Sequence, residues 1–433
     1  MTDAAIKEET RGVPDAGATE STWTPPERPE WVARIIEEGE SMDIREVVPL
    51  DEDSLLGSAM SATGLSDLGD DGWREPFQVY IKSLEEEADL NLLGRLRARQ
   101  EVLLFLKARL GIEDTYKRHP EIEDEEIRQP IMITGQGRSG TSFLQNVMSA
   151  DAVHGGLRHW EMLFPCPPPE KQTYWTDPRI ERADRWVTQW NRITPTLTDM
   201  HEFGGAMPFE DCVMMSINFT SEAWLGIIGQ TPSYAVYLAQ QDPVDAMRYH
   251  KRVLKLLQWK NPRTHWVMKE VYHLSRMEAL FEVYPDACVV WCHRDPVRAA
   301  ASFVNMLGTM QWVGTDNPMK DGALEYCKDH GVSAKRFNDV IDLIEEGRIP
   351  GERICNVQYQ DLMRDPMGTI ASIYDHFGIP LTDEGRAGME RYMADNPRDN
   401  RPPHRYPIPE GAELETAREV YRRYQEYFDI PTE

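Results

Sequence analysis

The chain has 433 residues, of which 41% are hydrophobic and 28% charged, a balance typical of a globular protein with one large core. Its net charge of −26 argues against nucleic-acid binding, which needs basic surface, and requires a local positive pocket for any anionic ligand. The sequence has no run of about 18 apolar residues, no apolar signal-peptide core and no cysteine framework, so we expect a cytoplasmic protein without a membrane span.

The first part of the chain is predicted to precede the main fold. Residues 1–50 are mostly polar, and we predict a flexible or extended segment with a short helix at residues 29–40. Residues 51–128 carry apolar side chains at helical spacing and are predicted to form a helical cap, whose strongest helix covers residues 90–110 and ends at Gly111. The expected roles of this cap are packing and contact between copies of the chain.

Strands and helices alternate through the rest of the sequence, which predicts an α/β domain over residues 129–433. Short apolar runs predict strands at residues 131–133, 264–269, 287–292 and 353–359. Helices are predicted around them at residues 177–190, 212–219, 243–259, 273–284, 296–307, 366–377 and 413–428. This alternation is typical of a central parallel β-sheet flanked by helices and joined by right-handed crossovers.

The most informative stretch joins the first predicted strand to a helix. It reads Gly135-Gln-Gly-Arg-Ser-Gly-Thr-Ser142. Glycines let the backbone approach a ligand closely, and the N–H groups of the first helical turn attract an anion. The spacing from Gly135 to Gly140 is that of a P-loop, but Thr141 stands where a P-loop has lysine, and the nearest cation is Arg138. The alternative is a glycine-rich turn that binds nothing.

A cation inside the turn, followed by Ser-Gly-Thr-Ser, resembles the 5′-phosphosulfate loop of sulfotransferases, and the resemblance extends over residues 73–428. It implies a P-loop-NTPase-like sulfotransferase fold with an N-terminal helical extension. It also implies in-line transfer of a sulfuryl group from 3′-phosphoadenosine 5′-phosphosulfate (PAPS) to a hydroxyl of a small organic acceptor, which leaves adenosine 3′,5′-bisphosphate. The loop residues that would hold the 5′-phosphosulfate are Arg138, Ser139, Gly140, Thr141 and Ser142.

The resemblance includes the end of the third predicted strand. Arg294 follows the run ACVVWC and Ser302 comes eight residues later, as in the second sulfotransferase signature, which implies that both bind the 3′-phosphate. An Arg fork suits a phosphate better than the point charge of a lysine. The alternative is that Arg294 pairs with Asp295 or another carboxylate while Ser302 only fills its helix. If one nucleotide binds both signatures, Arg138 and Arg294 must face the same pocket.

The acceptor side of the reaction is less well defined. Lys269 ends the second predicted strand, where the bacterial sulfotransferases that this chain resembles usually read Lys-Ser-Pro-x-His; here the segment reads Lys269-Glu-Val-Tyr-His273. The resemblance implies that Lys269 stabilises the bridging oxygen and makes His273 a candidate general base, although a His packed at the sheet edge is the structural alternative. Other candidate bases are Glu161, Glu202, Glu210, Asp211 and His201.

The predicted catalytic residues are His273, Lys269, Arg138, Glu161 and Glu210, and no metal ion is expected. The missing Walker lysine disfavours the first alternative, a nucleotide-dependent kinase or NTPase of related fold. The altered segment after Lys269 keeps a second alternative open, a non-catalytic nucleotide-binding relative. The expected partner is a small-molecule hydroxyl acceptor, and a homo-oligomer could form through the N-terminal or C-terminal helices.

Overall fold

The computed structural model describes residues 23–318, 329–397 and 411–433, and its centre is a parallel sheet of five strands in the order β2-β3-β1-β4-β5. The strands are β1 Ile131–Gly135, β2 Gly155–Gly156, β3 Trp266–Lys269, β4 Cys288–His293 and β5 Ile354–Gln358. The predicted α/β fold with a central parallel sheet is confirmed, and the four predicted strands are β1, β3, β4 and β5. The two glycines of β2 carry no hydrophobic pattern, so this strand escapes prediction.

Two predictions concern segments that the structure does not describe. Residues 1–22 of the predicted flexible N-terminal segment lie outside the described residues, and residues 23–50 include the predicted short helix, observed at Glu30–Glu40, and a further helix, Ile44–Val47. The same holds for Arg398, Arg401 and residues 404–406, which the resemblance to sulfotransferases suggests as further contacts of the 3′-phosphate.

The sheet lies between two layers of apolar side chains. In β1, Ile131 and Ile133 belong to one hydrophobic cluster and Met132 to the other, because successive side chains of a strand point to opposite faces. Every residue of β1 and β4 is buried. Burial on both faces is the condition under which a parallel sheet carries continuous apolar runs such as ACVVWC.

Helices precede the sheet along the chain and then cover it. The α-helices of the described residues span Glu30–Glu40, Ile44–Val47, Glu52–Thr63, Arg74–Glu86, Leu92–Arg118, Thr141–Met148, His159–Leu163, Pro178–Val187, Gln189–Ile193, Cys212–Ser216, Glu222–Leu225, Pro232–Ala239, Pro243–Gln258, Met277–Val283, Pro296–Gln311, His330–Glu345, Tyr359–Arg364, Pro366–Phe377, Asp383–Asp395 and Gly411–Tyr427.

The predicted end of the long N-terminal helix at Gly111 is wrong. The helix spans Leu92–Arg118 and ends just before Pro120. Gly111 instead lies against Cys166, since a Cβ at this position would stand 3.1 Å from the Cys166 Cβ. The glycine therefore serves close packing of the helix rather than its termination.

The terminal helices pack against the same core as the sheet. Phe77 and Phe105 of the N-terminal helices belong to one hydrophobic cluster with Trp291 of β4. Tyr424 of the C-terminal helix also packs on Trp291, with ring centroids 6.1 Å apart. This packing brings the last residue, Glu433, to the end of β4.

Among the described helices, none is both long enough and apolar enough to cross a membrane. The cytoplasmic location and the homo-oligomer stay predictions from the sequence.

Candidate active site

A cavity of about 760 Å³ opens at the edge of the sheet where the parallel strands end. Four strand ends supply residues to its wall: the loop after β1, Lys269 in β3, Arg294 after β4 and Tyr359 after β5. The register pairs Gly135 with Cys292, so the loop after β1 begins level with the segment that carries Arg294. Ligands of open parallel sheets bind at this edge.

The loop after β1 has the backbone geometry of an anion cradle. A side chain at Gly135 would collide with the carbonyl of Cys292, so the loop can start only with glycine. Arg138 and Gly140 have left-handed φ angles of 75° and 90°, a region that is uncommon for arginine and often found at functional sites. Helix Thr141–Met148 begins directly after Gly140, so the N–H groups of its first turn have no partner within the helix and lie next to this loop.

Arg138 extends from the strained part of the loop into the cavity wall. Its Nε donates to Ser302 Oγ at 3.1 Å, and one of its terminal nitrogens donates to the Met200 carbonyl at 2.8 Å. The loop is also fastened to the helix after β4, because the Gln136 side-chain amide donates to the Pro296 carbonyl at 3.1 Å. The guanidinium is thus held at the cavity by contacts from two other segments.

Arg294 lies directly beside the loop. One terminal nitrogen donates to the Arg138 carbonyl at 3.0 Å, so the two predicted cationic positions adjoin each other in one cavity. The guanidinium lies over the Tyr359 ring, 4.2 Å from its centroid. Its fork is engaged by the Glu433 carboxylate, with Nε–Oε1 and Nη2–Oε2 distances of 3.1 and 2.9 Å. A carboxylate in this fork occupies the kind of position that a phosphate would take.

Lys269 forms a largely buried ion pair with Glu210. The lysine side chain is 3% exposed and the glutamate side chain 21%, and both line the cavity. The backbone fixes this contact, because the Asp211 N–H donates to the Lys269 carbonyl at 3.1 Å. The segment from Glu210 to Cys212 is therefore attached to the end of β3, with the Glu210 carboxylate against the ammonium.

A buried network lies behind this ion pair. His273 Nε2 is 3.0 Å from Asp211 Oδ2, and His250 Nε2 is 3.8 Å from the same oxygen. Burial alone would lower the pKa of His273, but the Asp211 charge and hydrogen bond raise it above its usual value. For Asp211 the directions are reversed: burial alone would raise its pKa, but the neighbouring groups, chiefly His273, lower it below its usual value. The two groups hold each other in their charged forms, and this pairing fixes the position of Asp211, which directly follows Glu210.

Glu270 adds a second carboxylate next to Lys269 that is completely buried. Its oxygen, a Glu210 oxygen and the Cys212 sulfur all lie within 4.8 Å of one another. Burial and then the charges of Glu210 and Asp211 raise the pKa of Glu270 to about 7. This group replaces the serine that bacterial sulfotransferases usually carry after the lysine.

The structure brings most of the predicted site residues together. Those that line the cavity are Arg138, Gly140, Thr141, Ser142, His201, Glu210, Lys269 and Arg294. Five others are buried and do not line it: Ser139, Glu161, Asp211, His273 and Ser302. Glu202 is exposed and does not line it either. Glu161 is directed away to Arg263, with a shortest oxygen–nitrogen distance of 3.5 Å.

Much of the remaining lining of the cavity is apolar, and we call these residues the apolar wall. It includes Phe209, Trp224, Ile227, Val271, Phe303, Met306, Leu307 and Met310. Sequence patterns do not distinguish such residues from core residues, because both occur at helical spacing. Tyr359 was within reach of prediction, since it is the last residue of the predicted strand at residues 353–359. Glu433 carries no such signal, because only the tertiary fold brings it to Arg294.

Comparisons with known proteins agree with this arrangement. Residues 130–383 match the Sulfotransferase family. The omega-hydroxy-beta-dihydromenaquinone-9 sulfotransferase Stf3 of Mycobacterium bovis is 25% identical over 276 residues, which cover 62% of this chain and 67% of Stf3.

Two solved structures are similar over nearly their whole length. Sulfotransferase STF1 from Mycobacterium tuberculosis has a TM-score of 0.72 and 29% identity, covering 86% of this chain and 98% of that one. Sulfotransferase STF9 from Mycobacterium avium has a TM-score of 0.75 and 27% identity, covering 88% and 97%. The family match extends over more than half of the sequence and includes the loop, Lys269 and Arg294. The chain therefore belongs to the sulfotransferase family, whose members transfer a sulfuryl group to an acceptor.

Proposed function

We propose that the protein transfers the sulfuryl group of PAPS to a hydroxyl carried by a largely apolar small molecule. The observation that carries this proposal is the composition of one cavity. Its lining combines an anion cradle, with Arg138, Lys269 and Arg294, and a large set of apolar side chains. A doubly phosphorylated nucleotide suits the cationic residues, and an apolar acceptor suits the apolar ones.

PAPS fits the residues that are present. The N–H groups at the start of helix Thr141–Met148, together with Arg138, would hold the 5′-phosphosulfate. Arg294 would hold the 3′-phosphate, for which the Glu433 carboxylate in its fork is a stand-in of the same charge sign and planar geometry. PAPS would have to displace Glu433, while Tyr359 keeps the guanidinium in place from its other face.

Lys269 and Glu210 are the residues that we assign to the transfer step. The ammonium of Lys269 would neutralise charge on the oxygen that leaves the sulfur. Glu210 would accept the proton of the acceptor hydroxyl, because it is a cavity-lining carboxylate that lies directly against Lys269. Glu161 and His273 do not reach the cavity, so we assign them no contact with the reacting atoms.

The acceptor class follows from the apolar wall. Trp224, Phe303 and Met306 would contact a hydrocarbon skeleton. The relative Stf3 is named for a quinone derivative with a terminal hydroxyl. An alcohol on an apolar chain or ring system is therefore the acceptor class that we propose for this chain.

Ligand-dependent thermal stability and a transfer assay test the proposal. Adenosine 3′,5′-bisphosphate should raise the melting temperature more than AMP does, and sulfate from labelled PAPS should appear in apolar alcohols in a mass-spectrometric screen. Stabilisation by ATP with Mg²⁺ but not by the bisphosphate would favour the kinase alternative. Binding of the bisphosphate without turnover on any alcohol would favour the non-catalytic alternative.

A further inference from the structure

Glu270 is an ionisable group without an assigned role. It directly follows Lys269, and its backbone N–H donates to the Ile133 carbonyl of β1 at 3.1 Å. Its side chain is 0% exposed, and Oε1 accepts a hydrogen bond from the Tyr272 N–H at 3.0 Å. The Cys212 thiol is a weak donor to this carboxylate, and Oε2 has no other hydrogen-bond partner among the described residues. A buried carboxylate oxygen with at most a thiol as donor is costly, so its retention beside the cavity requires an explanation.

The surroundings of Glu270 place it in electrostatic contact with the cavity. Its carboxylate, the Glu210 carboxylate and the Cys212 thiol lie within 4.8 Å of one another, and the Lys269 ammonium contacts Glu210. One ammonium cannot balance two ionised carboxylates, so this group favours the uptake of one proton. Since a lysine already supplies the cation, we interpret the group as a proton-holding cluster and not as a metal site.

The remaining charged neighbours do not change this balance. Asp211 adds negative charge, but it is paired with His273, which also lies near Glu270. From β1, the contact with Glu270 is the uncharged Ile133 carbonyl. The charge state of Glu270 therefore acts chiefly on Glu210 and on Asp211.

We propose that Glu270 is a positioning residue that acts through Glu210, by raising the affinity of the Glu210 carboxylate for the acceptor proton. The proposal rests on the function proposed above. In the step, the acceptor oxygen forms a bond to sulfur, the bond from sulfur to the nucleotide phosphate oxygen breaks, and that oxygen keeps the electron pair. The hydroxyl proton moves to Glu210, which ends the Glu210–Lys269 ion pair and frees the ammonium for the departing oxygen.

The direction of the pH effect follows from the burial of Glu270. Because its pKa is raised to about 7, Glu270 is neutral in mildly acidic solution and ionised in mildly alkaline solution. Only the ionised form increases the proton affinity of Glu210. The turnover rate should therefore rise as the pH passes through about 7.

The test is Glu270→Gln, which keeps the shape of the side chain and removes the charge. At about pH 8, kcat should fall on the order of tenfold while KM for the acceptor and Kd for adenosine 3′,5′-bisphosphate stay unchanged. Near pH 6 the variant should match the wild type, because Glu270 is then neutral in both. As a matched control, Glu101→Gln, at a buried carboxylate that does not line the cavity, should keep the rise of kcat with pH.

A spectroscopic measurement on the wild type complements the kinetic test. Infrared difference spectra between pH 6 and pH 8 should show loss of a carboxylic-acid C=O band, which Glu270→Gln should lack. The same pH profile in both proteins, or a loss that is equal at all pH values, would overturn the role of Glu270 while leaving the sulfotransferase proposal intact. A wild type that neither binds the bisphosphate nor uses PAPS would overturn the proposed function itself, and this role with it.

Discussion

Replacement of Glu433 by glutamine should increase the affinity for adenosine 3′,5′-bisphosphate. The Glu433 carboxylate engages the Arg294 fork through two contacts, and the two side chains are only 15% and 17% exposed. Hydrogen bonds to charged groups contribute about 1.5–3 kcal/mol, whereas exposed ion pairs contribute less than about 1 kcal/mol. A value near 1.4 kcal/mol for this partly screened pair corresponds to roughly tenfold tighter binding once the competing charge is removed.

Isothermal titration calorimetry with two nucleotides checks this reasoning. The gain should appear for adenosine 3′,5′-bisphosphate and be absent for AMP, because only the former has the phosphate that competes with Glu433. Glu426→Gln is the matched control, since it removes an exposed carboxylate of the C-terminal helix that precedes Glu433 and changes the net charge equally. Weaker binding of the bisphosphate, or an equal gain for both nucleotides, would refute the idea that Arg294 binds the 3′-phosphate in exchange for Glu433.

Three further variants test the other assignments. Arg138→Ala should lower kcat by about 10²–10³ with little change in melting temperature, since its guanidinium lines the cavity, and near-normal turnover would contradict the assignment of the loop. Glu210→Gln should lower kcat by about 10²–10⁴ if Glu210 is the base, whereas retained turnover would exclude it. His273→Ala should instead lower the free energy of unfolding by roughly 3 kcal/mol, measured by urea denaturation, because the buried Asp211 loses its partner. Because the pKa of His273 is raised in the folded state, the contribution of His273 to the free energy of unfolding is complete below the usual histidine pKa of 6.5. This contribution is lost as the pH rises through the folded-state pKa. The lowered pKa of Asp211 means that the contribution of Asp211 to stability is lost only below its usual value of 3.8. The difference in the free energy of unfolding between wild type and variant should therefore be largest near pH 5 and smaller near pH 9. A difference that grows toward pH 9 would contradict the charged pair.

The fold was accessible from the sequence because its signals are local. The run ACVVWC has the composition of a doubly buried strand, and Pro366 and Gly378 mark both ends of their helix. The helix end predicted at Gly111 was wrong for the same reason, since a local sequence pattern treats glycine as a helix terminator. The tight contact with Cys166 that explains this glycine joins segments far apart in sequence.

The nucleotide side of the candidate site was accessible from local sequence patterns. Glycine spacing and a cation in the loop form a local pattern, so Arg138 and its neighbours stand out in the sequence. The general base is different, because its role depends on which carboxylate reaches the cavity. Glu161 and Glu210 look equally suitable in the sequence, but the fold directs Glu161 to Arg263 and Glu210 to Lys269.

The two ion pairs of the site share one physical logic. A protein with a net charge of −26 must concentrate positive charge locally to bind an anionic nucleotide, yet an unbalanced buried cation would be costly before the nucleotide arrives. Glu433 balances Arg294, and Glu210 balances Lys269. Under the proposed function, phosphate replaces the first carboxylate on binding, and a proton neutralises the second during transfer. Each cation thus becomes available at the step that needs it.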